Sequence, residues 1–130
     1  MDYLPELGLD DFKGAKLCKT LKACVAEMMG VFFLVLIGCG AANSMGSPPN
    51  ADIVHVALAF GVTVATMAQS IGHISGCHIN PAVTAGLLVG RKISFLKALL
   101  YVPAQCLGGI FGALLLKVRL LSFTFIVLIN

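Results

Sequence analysis

Gly72-His73-Ile74-Ser75-Gly76-Cys77-His78-Ile79-Asn80-Pro81-Ala82-Val83-Thr84 is the stretch on which the reading of this chain turns. It is polar, glycine-rich and carries two histidines, yet long apolar segments flank it on both sides. Irregular backbone at membrane depth is tolerated only where protein buries it or where it lines a water-filled cavity. The stretch ends in Asn-Pro-Ala and an apolar run, so it reads as a loop that enters a bilayer and turns into a half-helix over 81–90. Pro81 suits the first helical turn, where its missing N–H costs nothing, and Asn80 suits the N-cap.

Working outward, 58% of the 130 residues are apolar and only 12% are charged, too apolar for an ordinary soluble domain. Spans of about 20 residues are expected over 21–42, 53–71 and 94–116. The fold class is therefore all-α and membrane-embedded, with three transmembrane helices and one re-entrant half-helix. Residues 1–20 read as a mixed-charge tail, either flexible or with a short amphipathic helix after Asp10 and Asp11. Residues 21–117 form the membrane-embedded part, and 118–130 a separate tail. In that tail Leu120 to Ile129 is apolar but too short to cross a bilayer. Pro48-Pro49 stops any helix between the first two spans. Pro103 is expected to kink the third span, and Gly108-x-x-x-Gly112 gives it a small-residue face for close helix contact. Lys13, Lys16, Lys19 and Lys22 precede the first span, and Arg91, Lys92 and Lys97 follow the half-helix, whereas residues 43–51 carry no Lys or Arg. By the positive-inside rule the N-terminus and the Arg91-Lys92 turn face the cytoplasm.

Ser75-Gly-Cys-His-Ile-Asn-Pro-Ala-Val-Thr84 resembles the first Asn-Pro-Ala box of the aquaporin (major intrinsic protein) family. Leu58-Ala59-Phe60-Gly61, with Met67-Ala68-Gln69-Ser70-Ile71-Gly72-His73, is similar to the helix that leads into that box. Ala26-Glu27 in the first helix also fits, as does Tyr101 with Ala104-Gln105 in the third. The resemblance covers roughly residues 20 to 117 and is strongest to animal water-selective members. A bare Asn-Pro-Ala recurs by chance; the extended box with Glu27 and Gln105 in flanking helices is far more specific.

The resemblance implies one of the family's two inverted repeats and passive osmotic water flow. It implies that Gly76, Cys77 and His78 offer backbone carbonyls to a file of water, and that the Asn80 amide N–H orients water at the midpoint. The half-helix starting at Pro81 and Ala82 would then aim its positive end at the pore centre, disfavouring cations. Glu27, an acid inside a span, would brace the loop near His78 rather than relay protons, with Gln105 bracing from the third span. Gln69 either packs near the loop or faces another helix. Phe60 either walls the outer constriction or packs as an ordinary apolar residue. His78 and His73, the latter at the loop entrance, are candidate pH sensors, and His55 reads as interfacial. Cys77, beside the pore wall, would let a mercurial block flow.

Other classes lack support. The chain has no Ser-His-Asp set, metal-ligand spacing or phosphate loop, and its lysines form no dense basic face for nucleic acid. Hence no enzyme activity, metal, cofactor or nucleic-acid partner is expected. The five cysteines lie mostly in apolar runs and read as reduced core residues. The expected surroundings are water or small neutral solutes, the lipid of a plasma membrane, and a homo-oligomer or full-length aquaporin subunits. Three readings stay open: a water channel truncated to its first half, a half-chain that pairs with another half, and a non-conducting subunit that alters the assembly of full-length ones.

Overall fold

The computed structural model describes residues 14–44 and 53–129, with side chains of Ala15, Ser44 and residues 122–129 excepted. The tail over 1–13 and the Pro48-Pro49 turn lie outside the described residues. Within them the chain is helical. Helix α1 spans Ala15–Leu34 and passes through a π-helical turn, Val35–Cys39, into the short α2, Gly40–Ser44. Helix α3 spans Ile53–Ser75, α4 Pro81–Val89 and α5 Phe95–Ile129. Three helical stretches, Lys16–Asn43, Ile53–Ser75 and Phe95–Leu121, are long and apolar enough to cross a membrane. With the half-length α4, that is the expected class.

Several boundaries differ from expectation. α1 starts at Ala15, so Lys16, Lys19 and Lys22 belong to its first turns. α3 does not stop at Ile71 but runs to Ser75, where Gly76 at φ +94° supplies the left-handed residue that ends a helix. The Gly76 N–H bonds to the Gly72 carbonyl at 3.0 Å, closing the last turn. Pro103 lies inside α5 without ending it, and α5 continues past Lys117 to Ile129. The chain from Ala113 to Ile129 has no Gly or Pro, so no backbone signal stops the helix there.

The core is a seam between α1 and α5. Gly108 lies so close to α1 that a Cβ would strike the Met28 carbonyl, and at Gly112 it would meet the Phe32 carbonyl. Leu116 reaches Gly40. Partner numbers rise together along both helices, so α1 and α5 run parallel with backbones nearly touching, as small-residue faces allow. Ala23, Ala26, Val31, Ala98 and Tyr101 are buried along this contact region. α3 runs the other way against α1. Gly38 in the π turn receives the Phe60 ring, and Gly30 receives Ile71. Phe60, Ile71 and Ser75 touch α1, and with the covered Thr63 and Met67 they form a stripe of helical period. Only Thr63 and Ser75 on this helix are buried.

Candidate functional site

Glu27 is fully buried and sits where α1, α5 and the loop meet. One carboxylate oxygen accepts from the Ser75 hydroxyl at 2.6 Å and from the His78 N–H at 2.8 Å. The other accepts from the Ile79 N–H at 2.6 Å and the Gln105 side-chain NH₂ at 2.8 Å. Four donors thus converge on one carboxylate, the arrangement that makes a buried acid tolerable. These bonds place Glu27 and Gln105 beside the loop. Gln105 also donates to the Thr84 hydroxyl at 3.0 Å, and its own Oε1 is buried without a partner. A carboxylate only accepts, so the amide must turn its NH₂ toward Glu27 and leave its oxygen on the other side.

The loop itself is strained and held. Gly76, Cys77 and Ile79 have φ of +94°, +50° and +40°. A β-branched residue such as Ile79 is rare in that region and persists only where its surroundings over-determine it. Its N–H is fixed by Glu27, and its side chain fills the space at Gly30, where a Cβ would strike it. Ser75 joins the brace through three contacts. Its hydroxyl donates to Glu27, it accepts from the Cys77 N–H at 3.0 Å, and its carbonyl accepts from the Tyr101 hydroxyl at 2.8 Å.

These bonds set the direction of the loop carbonyls. No peptide bond among the described residues is cis, and in a trans peptide a carbonyl points opposite to the next residue's N–H. The N–H groups of Cys77, His78 and Ile79 all turn toward Ser75 or Glu27. The carbonyls of Gly76, Cys77 and His78 therefore turn away from the brace, in succession along one side of the loop.

Asn80 caps α4: its side-chain oxygen accepts from the Ala82 N–H at 2.8 Å. The residue is exposed, as are Pro81 and Ala82, and its NH₂ makes no hydrogen bond within the described residues. Thr84, fully buried, ties the half-helix to the rest. It bonds to the Asn80 carbonyl at 3.2 Å, to Gln105, and to the His78 ring Nδ1 at 3.1 Å. The His78 ring meets Tyr101 edge-on, with centroids 5.2 Å apart, and Lys97 places its ammonium over the Tyr101 ring at 5.3 Å.

Two expected residues lie elsewhere. Gln69 is exposed and makes no bond to this network among the described residues. At about 100° per residue it lies on the far side of α3 from the Met67–Ile71 stripe. Phe60 puts its ring against Gly38, the packing alternative. His73 is exposed in the last turn of α3, just before the loop, and His55 is exposed near the start of that helix. Ser75, Thr84 and the Tyr101 hydroxyl were not singled out from sequence. A buried hydroxyl in the apolar run Pro81–Val89 was the available signal for Thr84, since polar groups inside a membrane need partners.

Comparison with known proteins gives the family. The family described as Major intrinsic protein matches residues 15–125. The chain is 45% identical over 106 residues to "Aquaporin FA-CHIP" of Pelophylax lessonae, covering 74% of this chain and 39% of that one. It is 47% identical over 95 residues to "Lens fiber major intrinsic protein" of Lithobates pipiens, covering 73% and 36%. Against "Aquaporin-4" of Mus musculus it is 46% identical over 105 residues, covering 78% and 32%. The chain thus spans about a third of the length of the curated relatives it matches.

Proposed function

Since the chain belongs to the major intrinsic protein (aquaporin) family, we propose that it supplies one half of a pore for passive osmotic water flow. The observation that carries this reading is the row of carbonyls at Gly76, Cys77 and His78, turned away from the Glu27 brace and followed by the exposed Asn80 amide. Such a row offers acceptors at successive steps, and Asn80 offers a donor, so a water file passes with its hydrogen bonds replaced in turn. The N-terminal end of α4 adds positive potential where the loop ends, which opposes cations. Glu27, Ser75, Gln105, Tyr101 and Thr84 hold the loop rather than touch water. The placement of Lys16, Lys19, Lys22, Arg91 and Lys92 at one end favours a cytoplasmic N-terminus, in a plasma membrane.

Osmotic swelling of oocytes expressing the chain, normalised to the amount at the surface, tests the reading. Swelling above control that falls with Asn80→Ala supports it. No swelling with ample surface protein overturns it for this chain acting alone. A second reading, a non-conducting subunit that associates with full-length aquaporins and changes their assembly or trafficking, is favoured by the little-buried α3. Co-purification with a co-expressed full-length aquaporin, together with altered surface delivery of that channel, would support it.

A further inference from the structure

The position of α5 in the membrane leaves its last turns without a suitable solvent. α4 has nine residues, about 13 Å at about 1.5 Å per residue, close to half of a hydrocarbon core about 30 Å thick. That puts Asn80 near mid-membrane and the Arg91-Lys92 turn at the near edge. Thr84 lies one turn, about 5 Å, back toward that edge, and its bond from Gln105 brings α5 to the same level. Arg119 comes fourteen residues after Gln105, about 21 Å along the helix. Lys117 and Arg119, both exposed, therefore fall at about the far edge of the hydrocarbon.

Beyond them α5 stays helical through Leu-Leu-Ser-Phe-Thr-Phe-Ile-Val-Leu-Ile, residues 120–129. Upright, this apolar stretch would rise about 15 Å further, past the headgroups and into water. Tilt does not resolve this. At the upper end of observed tilts, about 40°, Ile129 would still lie several ångströms outside the core, while Lys117 and Arg119 would be drawn into it. The order apolar span, basic pair, apolar stretch fits a different path, in which the pair sits among lipid phosphates and the chain turns to lie along the surface.

We infer that residues 120–129 leave the line of α5 after Arg119 and rest in the far leaflet at the boundary of headgroups and acyl chains, with Lys117 and Arg119 on lipid phosphates. The partner is the lipid surface, by complementarity of the basic pair with phosphate and of the apolar stretch with the upper acyl chain. The inference concerns membrane position only and stands whether or not the chain conducts.

The chain has no Trp, so one introduced indole reports its own surroundings. The full chain carrying Phe125→Trp is reconstituted in phosphatidylcholine vesicles with a minor share of phosphatidylglycerol. Its fluorescence is quenched in turn by aqueous acrylamide and by lipids brominated near the headgroup or near the bilayer centre. Ile110→Trp provides a reference inside the span. The expected result is blue-shifted emission, protected from acrylamide and quenched most by shallow bromines. Adding Lys117→Gln and Arg119→Gln should raise acrylamide quenching at least twofold. Red-shifted, acrylamide-accessible emission would mean projection into water and overturn the inference. So would strongest quenching by deep bromines, or blue-shifted emission that resists every brominated lipid and depends on protein density, the sign of burial against a second copy. Phe123→Trp repeats the reading should Phe125→Trp fail to reconstitute.

Discussion

α1 and α3 are neighbours of similar length, yet they are built for different surroundings. α1 presses α5 so tightly that two glycines are needed where their backbones pass, and it carries the one acid among the described residues, with four donors around it. α3 touches α1 along a single stripe and leaves Ile53, Val54, Leu58 and Val62 more than half exposed. The difference separates two tasks. The α1–α5 seam, with Ser75 and Thr84 tied to it, is a clamp whose product is the shape of one five-residue loop. α3 delivers the chain to that clamp and offers its other faces to whatever lies outside.

If that division is right, substitutions should lose effect in a fixed order from clamp to bare face. Glu27→Ala removes the acceptor of four buried donors. At about 1–3 kcal/mol per stranded group, the loss should reach roughly 4 kcal/mol or more, read as a large drop in thermal midpoint in detergent. In a chain whose other cysteines are replaced, it should also make Cys77 react much faster with a maleimide. A Glu27→Ala protein with wild-type melting and Cys77 reactivity would break the comparison at its strongest point. Gly108→Val forces a branched side chain against the Met28 backbone and should cost about 3 kcal/mol, loosening both long helices to protease. Tyr101→Phe deletes one hydrogen bond to Ser75 and should cost about 1 kcal/mol, with a modest rise in Cys77 labelling. Gly61→Ala, where a Cβ meets open space, should shift stability by no more than about 0.5 kcal/mol. A large effect there in lipid but not in detergent would reveal a partner on α3.

What could be read in advance follows the same division. Glu27 stood out because a charge within an apolar span needs partners, while its pairing with the loop and with Gln105 came only from the resemblance. The cap at Asn80 was legible because Asn before Pro at a helix start has a local chemistry. Gln69 was left between two readings because its surroundings depend on which way α3 faces, and that is fixed by Phe60 meeting Gly38 and Ile71 meeting Gly30, contacts far apart in sequence. The end of α5 was missed for another reason. Lys117 and Arg119 interrupt the apolar run, and charge says nothing about where a helix ends when no Gly or Pro follows. The π turn at Val35–Cys39 also left no mark in the sequence pattern.

The brace around Glu27 has a consequence for biosynthesis. Its partners come late: Ser75 follows by 48 residues, His78 and Ile79 by 51 and 52, and Gln105 by 78. On a growing chain, α1 is therefore made before any of its acid's partners, and the full set of four donors exists only once Gln105 has been added.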